Sequence, residues 1–143
     1  ILDNSITGMT GHQQNPSTGF TIKNEPTRQV DLVQLCHAVG VDRVVVADPF
    51  DVKNFEKVVK EEVEREEPSV IIARRPCALL KNVKYDQNVT VDQDKCTGCK
   101  MCMRLGCPAI TMKGKKMEIN KTLCNNCGLC ANVCKFGAIK VEK

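Results

Sequence analysis

The sequence predicts a fold in two parts: the tail of a parallel, doubly wound α/β sheet, followed by a small α+β unit ordered by cysteines. Up to about residue 88, helical and strand patterns alternate and only two of the ten cysteines occur. Such alternation is typical of a parallel sheet. From residue 89 onward, the other eight cysteines form two near-copies of one pattern. We therefore predict domains at residues 1–88 and 89–143.

Two helices and two strands are predicted in the first domain. One helix covers residues 31–39 and stops at Gly40, and Asp51 can cap the second. The strands are residues 43–47 and 69–73, whose continuous apolar runs are typical of strands buried on both faces. The inward-facing helix residues are predicted to be Leu32, Leu35, Cys36 and Val39, then Val52, Phe55, Val59 and Val63.

The start of the chain is predicted to be a strand end followed by a long loop. Residues 1–4 resemble the last part of a strand, and because the chain opens without methionine we expect sequence before it. The loop, residues 4–27, is rich in glycine, proline and small polar residues, and loops of this length are usually functional. It follows a strand end, where open α/β sheets place ligands. His12 is its candidate ligand contact, and a flexible linker is the alternative.

Eight cysteines carry the clearest chemistry. Two residues between cysteines let a tight loop turn three thiolates toward one point, and the fourth ligand of a two-cluster ferredoxin comes from the opposite motif. This spacing predicts two [4Fe–4S] clusters. The predicted ligand sets are Cys96, Cys99, Cys102 and Cys134 for one cluster, and Cys107, Cys124, Cys127 and Cys130 for the other.

Three other interpretations of the cysteines fit less well. A disulfide framework needs an oxidising compartment, and the sequence contains no signal-peptide-like segment. Structural zinc leaves the third cysteine of each triplet without a role. A lost cluster or a three-iron variant would show as a missing cysteine, and all eight are present. Ten cysteines without a disulfide framework indicate a reducing, cytoplasmic location. Oxygen-sensitive clusters suggest an anaerobic organism.

The second domain is basic, with ten Lys and Arg against four Asp and Glu after residue 88. We expect no nucleic-acid partner, because the whole chain has four Phe, one Tyr and no Trp to stack on bases. Two oxidised clusters would cancel much of the positive charge. The lysines therefore offset the clusters or steer an acidic electron carrier. No segment is apolar enough to predict a membrane span.

The two cysteine motifs belong to an internal repeat, in which Val91 aligns with Ile119 and Cys96 aligns with Cys124. Each copy is predicted to be a short strand, a cluster loop and a short helix, with strands at residues 117–119 and 138–141. The first motif has one extra residue before Cys107, which predicts a bulged turn. Lys135 stands where proline is usual in ferredoxins, and its charge and N–H favour a higher potential for the cluster bound by Cys134.

Residues 89–143 resemble bacterial-type two-cluster ferredoxins. Residues 2–13, Leu-Asp-Asn-Ser-Ile-Thr-Gly-Met-Thr-Gly-His-Gln, followed by Pro16 and Gly19, resemble the thiamine-diphosphate loop of 2-oxoacid:ferredoxin oxidoreductases. With residues 73–78, Ala-Arg-Arg-Pro-Cys-Ala, and a ferredoxin domain directly behind, the chain resembles the C-terminal part of the alpha subunits of indolepyruvate ferredoxin oxidoreductases.

This resemblance implies that Asn4 and the carbonyl of Ile6 bind the Mg²⁺ that holds thiamine diphosphate, with His12 nearby; oxygen donors suit that ion. The Gly-Asp-Gly part of the motif is absent, so the chain is not expected to be active alone, and no catalytic residue is assigned. The complete enzyme would convert aryl pyruvates and coenzyme A to acyl-CoA, with a beta subunit as partner and external ferredoxin as electron acceptor. The alternatives are a non-catalytic electron-transfer subunit or adaptor, and a pyruvate or 2-oxoglutarate ferredoxin oxidoreductase subunit.

Overall fold

A computed structural model describes residues 1–142, so Lys143, the last residue of the predicted second domain, lies outside the described residues. The chain divides into two compact units after Val83, close to the predicted boundary at residue 88. The elements are β1 Leu2–Asp3, α1 Leu32–Ala38, β2 Arg43–Ala47, α2 Val52–Val63, β3 Ser69–Arg74, β4 Asn88–Val91, a 3₁₀ helix Met101–Leu105, β5 Ile110–Lys113, β6 Lys116–Ile119, α3 Leu129–Asn132 and β7 Ile139–Glu142.

The first unit contains a three-stranded parallel sheet in the order β1, β3, β2. Leu2 pairs with Ala73 in β3, and Val45 of β2 pairs with Ile71. Both predicted strands are therefore present, joined through α2 as a parallel pair requires. The expectation that the strands are buried on both faces is wrong for Val46, which is 44% exposed. Successive side chains point to opposite faces, and the described residues do not cover this face of β2.

Each helix of the first unit begins after a capping aspartate; Asp51 was predicted in this role, whereas Asp31 was predicted as the first helical residue. Asp31 accepts backbone hydrogen bonds at the start of α1, and Asp51 accepts one from the Asn54 N–H at 3.3 Å. Their predicted apolar faces are only partly covered. Cys36 is buried as expected, whereas three residues predicted to face inward are exposed, because periodicity marks a face without showing that another layer lies against it. These residues are Leu35, Val39 and Val63.

A buried carboxylate on α2 is the main feature of this unit that periodicity did not predict. Glu62 is 6% exposed, and its Oε1 accepts hydrogen bonds from Arg43 Nε at 3.1 Å and Nη2 at 2.8 Å. Arg65 lies 3.3 Å from the other carboxylate oxygen. The hydrogen bond from Arg43 outweighs burial and lowers the pKa of Glu62. The ion pair joins α2 to β2.

The second unit consists of two antiparallel strand pairs and two short helices. β4 pairs with β7 and β5 pairs with β6. β5 and β6 are joined by a tight turn, in which Gly114 lies in the left-handed region at φ 64°. The buried core is apolar and takes residues from both repeats: Val89, Cys102, Ala109, Ile110, Met117, Ile119 and Ile139. Within residues 1–142, no helix is long and apolar enough to cross a membrane.

Candidate metal centres and cofactor loop

The two cysteine loops share an unusual backbone. In the first loop, the residues on either side of Cys99 have positive φ angles, 69° at Gly98 and 62° at Lys100. The equivalent residues of the second loop are Asn126 and Gly128, with φ angles of 59° and 77°. Left-handed residues turn the chain sharply. Each loop thereby brings three closely spaced cysteines to one side.

Four of the predicted ligands line a single cavity in the second unit. Cys96, Cys99 and Cys102 come from the first loop, and Cys134 comes from the segment after α3. Apolar side chains, among them that of Met117, complete the lining. The structure therefore brings together the four cysteines predicted for the first cluster, although Cys134 lies far from the other three in the sequence.

The other four cysteines are also neighbours. Burial, followed by the charges of Cys127, Cys124 and Cys107, raises the pKa of Cys130 to about 11. Cys107 belongs to the first motif, so this interaction crosses between the repeats as the predicted ligand exchange requires. A thiolate in such surroundings needs compensating positive charge, which bound iron would supply.

In the described part of the chain, the cysteine side chains do not form a ready-made site for a single metal ion. Among the described residues, no three cysteine, histidine or carboxylate side chains are close enough to hold one metal ion. A tetrahedral zinc ion requires four ligands within about 2.3 Å of one point. In a cubic cluster each thiolate binds a different iron, so the sulfurs lie farther apart. The apolar packing around the cysteines suits such a group.

Backbone N–H groups point at several cysteine sulfurs. The N–H of Met117 donates to Cys96 Sγ at 3.4 Å, and that of Ala138 donates to Cys134 Sγ at 3.3 Å. Burial opposes ionisation of Cys134, but hydrogen bonds from the N–H groups of residues 136–139 outweigh it and lower the pKa. The fold is therefore arranged to stabilise a thiolate at this position.

The extra residue of the first motif is accommodated at the end of the 3₁₀ helix. Gly106 follows Leu105 with φ 65°, and its N–H donates to the carbonyl of Met103 at 3.0 Å. A left-handed glycine at a helix end reverses the chain direction without steric cost. Cys107 can then extend toward the second motif despite the longer spacing.

In the first unit, the predicted cofactor residues lie where β1 ends. Asn4 is exposed, and its Oδ1 accepts a hydrogen bond from the Ile6 N–H at 3.3 Å. Its backbone carbonyl accepts the Cys77 N–H at 2.9 Å. A Cβ on Gly8 would lie 3.5 Å from Asn4 Nδ2 and 3.8 Å from Cys77 Sγ. The structure thus places Cys77 beside Asn4, a proximity that its position in the sequence did not indicate.

His12 lies in a turn that is closed by backbone hydrogen bonds between Thr7 and Gln13, at 3.0 and 3.1 Å. It is exposed and has a positive φ of 62°. These two hydrogen bonds fix the ends of the turn, so His12 lies in a loop of defined conformation. Its predicted contact with a cofactor stays a prediction.

Two family models match parts of the chain. Residues 1–73 match the model of the C-terminal thiamine-pyrophosphate-binding domain of thiamine pyrophosphate enzymes. The chain belongs to the thiamine pyrophosphate enzymes. The pyrophosphate and diphosphate names denote the same cofactor. Residues 117–140 match the 4Fe-4S binding domain model, which covers the second cysteine motif.

Curated relatives of this thiamine pyrophosphate enzyme chain share most of its length. It is 38% identical over 149 aligned residues to indolepyruvate oxidoreductase subunit IorA of Pyrococcus horikoshii, covering 98% of this chain and 23% of the relative. The corresponding subunit of Archaeoglobus fulgidus is 39% identical over 100% of this chain and 24% of its own length. The chain therefore spans about a quarter of the length of these relatives, and it is similar to the C-terminal part of an indolepyruvate oxidoreductase alpha subunit.

A further relative matches a smaller part of the chain. Pyruvate synthase subunit PorD of Methanothermobacter marburgensis is 42% identical over 53 residues, which is 37% of this chain and 63% of PorD. The relatives of the chain thus include subunits named for indolepyruvate and for pyruvate.

Proposed function

We propose that the chain is part of a 2-oxoacid:ferredoxin oxidoreductase that oxidatively decarboxylates aryl pyruvates such as indolepyruvate to acyl-CoA. Its second unit holds two [4Fe–4S] clusters that pass electrons to an external ferredoxin. Its first unit forms part of a doubly wound thiamine-diphosphate domain, which works with a beta subunit in the cytoplasm. The similarity to IorA over the whole chain supports this assignment.

The observation that carries the proposal is the grouping of the cysteines. Cys96, Cys99 and Cys102 share a cavity with Cys134, and Cys107 acts on the pKa of Cys130. Both relationships join one motif to a cysteine of the other, as expected of two-cluster ferredoxins. Two adjacent clusters would let a two-electron oxidation proceed in one-electron steps.

Asn4 and Ile6 fit the role of ligands to the Mg²⁺ of the cofactor. An amide oxygen and a backbone carbonyl are hard donors, which Mg²⁺ prefers. The Asn4 side chain is exposed at the end of β1, and its Oδ1, which accepts the Ile6 N–H at 3.3 Å, has a second lone pair for a metal ion. The thiamine group, when bound, supplies the carbanion chemistry of decarboxylation. The chain's own residues position its diphosphate end, and the remaining ligands would come from elsewhere in the enzyme.

Substitution of Asn4 in the complete enzyme tests the thiamine role. Asn4→Ala should abolish both thiamine-diphosphate binding, measured by calorimetry, and turnover of indolepyruvate. Gln14→Ala is the matched control in the same loop, because its side chain donates to Asn24 at 2.9 Å on the exposed surface. Full binding and turnover by Asn4→Ala would favour the alternative, a non-catalytic electron-transfer subunit or adaptor.

The substrate requires its own experiment. The similarity of 53 residues of the chain to PorD keeps pyruvate as an alternative, and 2-oxoglutarate is a further one. Ferredoxin reduction by the complete enzyme should be compared with indolepyruvate, phenylpyruvate, pyruvate and 2-oxoglutarate at equal concentrations. A higher kcat/KM for the aryl substrates supports the proposal, and a preference for pyruvate or 2-oxoglutarate contradicts it.

A further inference from the structure

The two repeats of the second unit use an equivalent backbone N–H differently beside a cysteine sulfur. In the alignment of the two repeats, Met117 corresponds to Val89 and Cys96 corresponds to Cys124. The Met117 N–H donates to Cys96 Sγ at 3.4 Å. The Val89 N–H instead donates to Asn126 Oδ1 at 3.4 Å. One repeat therefore directs this amide at a ligand sulfur, and the other directs it at a side-chain oxygen.

The residue responsible for the difference is Asn126, whose counterpart in the first loop is Gly98. Both residues have a positive φ, 59° and 69°, so the loops differ here in the side chain and not in the backbone. Gly98 has no side chain to accept a hydrogen bond. The Asn126 side chain accepts the hydrogen bond of the Val89 N–H. The internal symmetry of the repeats would otherwise direct this N–H at Cys124.

Asn126 is held in place on several sides. Its backbone N–H donates to Cys124 Sγ at 3.4 Å, and its carbonyl accepts from Gln87 Nε2 at 2.6 Å. Its Oδ1 also lies 3.6 Å from Cys124 Sγ. The Val89 N–H needs an acceptor, so the side-chain amide of Asn126 turns its oxygen, and not its NH₂ group, toward Val89 and Cys124. A partial negative charge thus lies next to a ligand sulfur.

Hydrogen bonds and charges at the ligand sulfurs set the potential of an iron–sulfur cluster. An N–H directed at sulfur stabilises the reduced cluster, which carries one more negative charge, whereas a nearby carbonyl oxygen disfavours it. We propose that Asn126 lowers the midpoint potential of the cluster held by Cys107, Cys124, Cys127 and Cys130. This inference rests on the proposed function, because it requires both clusters to be present.

The two clusters are therefore expected to have different midpoint potentials. The first cluster keeps the hydrogen bonds from the Met117 N–H to Cys96 Sγ and from the Ala138 N–H to Cys134 Sγ, so its reduced form is stabilised. The second cluster has the Asn126 N–H at Cys124 Sγ, but its Val89 amide is directed at Asn126 Oδ1 instead of at sulfur. Electrons would therefore reside mainly on the first cluster, and Asn126 acts as a positioning residue that sets this difference through the Val89 amide.

The test compares Asn126→Gly with the unaltered protein, both with clusters reconstituted anaerobically. Glycine keeps the left-handed backbone without strain. Iron and sulfide are assayed first, and the midpoint potentials are then measured by EPR-monitored redox titration. One potential should rise by about 59 mV, a tenfold change in a one-electron equilibrium, while the other stays unchanged.

The control is Lys100→Gly, which relieves the same backbone restriction in the first loop without removing a side-chain oxygen beside a sulfur. It should leave the potential of the second cluster unchanged. If Asn126→Gly binds both clusters and neither potential moves, the inference is overturned while the proposed function stands. If the unaltered protein does not bind two clusters, the proposed function itself fails.

A measurement on the unaltered protein keeps the inference testable if Asn126→Gly does not assemble. Placing ¹⁵N at the Met117 and Val89 amides alone, by semisynthesis, allows the hyperfine couplings of these two amides to be compared in the reduced protein. A larger coupling at Met117 is expected, because its N–H points at a ligand sulfur. Equal couplings would overturn the inference.

Discussion

Gln93 and Lys121 occupy equivalent positions in the two repeats, and each donates a hydrogen bond to a backbone carbonyl of the other repeat. Gln93 Nε2 donates to the Met117 carbonyl at 2.9 Å, and Lys121 Nζ donates to the Val89 carbonyl at 2.7 Å. The acceptors are themselves equivalent positions of the internal repeat. The two cysteine motifs are thus locked together by a reciprocal pair of contacts in addition to the shared core.

Removal of one of these contacts should destabilise the second unit. Gln93→Leu keeps the size of the side chain but leaves the Met117 carbonyl without this donor, at a cost of about 1–2 kcal/mol. The measurement is denaturant unfolding of the cluster-loaded protein, followed by loss of cluster absorbance. Lys95→Ala, at an exposed neighbouring position, is the control and should unfold as the unaltered protein does. Equal midpoints for all three proteins would contradict the locking role.

Gly98 is predicted to be indispensable for the first cluster. A Cβ at this position would overlap the backbone carbonyl oxygen of Lys115. Gly98→Ala should therefore reduce iron content from about eight to about four per chain. Gly106→Ala is the control: it also has a positive φ, but no atom lies within 4 Å of its added Cβ. That variant should keep both clusters and lose about 1–2 kcal/mol to backbone strain.

Two substitutions of Lys135 distinguish the effect of its charge from that of its N–H on the midpoint potential of the first cluster. Lys135→Pro removes a positive charge and an N–H, both of which favour the reduced cluster, so the midpoint potential should fall. Lys135→Met removes only the charge and should produce a smaller fall in the same redox titration. If Lys135→Pro leaves both potentials unchanged, Lys135 does not explain the difference between the clusters.

The ion pair of Glu62 predicts a pH dependence of stability for the first unit. Arg43 lowers the pKa of Glu62 in the folded protein. The stabilisation is therefore present above the unfolded pKa of about 4.3 and is lost as the pH falls through the lower folded pKa. Glu62→Gln should be less stable than the unaltered chain at pH 7, with a difference that shrinks on acidification.

Denaturant unfolding between pH 7 and pH 3 measures this difference. Glu56→Gln is the matched control, because Glu56 pairs with Lys60 on the exposed surface of the same helix at 2.6 Å. Exposed pairs contribute little, so its effect should be smaller. A Glu62→Gln difference that stays constant over the whole pH range would show that the ion pair is not its source.

The features that sequence patterns predicted are those encoded by neighbouring residues. Strand β2 was predicted with its observed bounds, because its β-branched run is local, and Asp51 was predicted as a cap because a helical pattern directly follows it. The cysteine spacing likewise reflects local loop geometry. The partners that bury Glu62 were not predicted, because Arg43 lies 19 positions away and no periodic pattern links the two residues.

The same limit applies to the candidate sites. No sequence pattern places Cys77 beside Asn4, because only the parallel pairing of β1 with β3 brings the two residues together. The hydrogen bond between Asn126 and Val89 was not predicted, because Val89 lies 37 positions earlier in the chain. The internal repeat contained a usable signal: comparing the two copies position by position marks Gly98 and Asn126 as a difference between otherwise similar loops.

The most direct test of the central claim is the iron and acid-labile sulfide content of anaerobically reconstituted protein, together with its EPR spectrum after dithionite reduction. The proposal predicts about eight irons and eight sulfides per chain and the broadened signal of two interacting reduced clusters. Bound zinc, or about four irons with the signal of an isolated cluster, would contradict the assignment of two electron-carrying clusters to these eight cysteines.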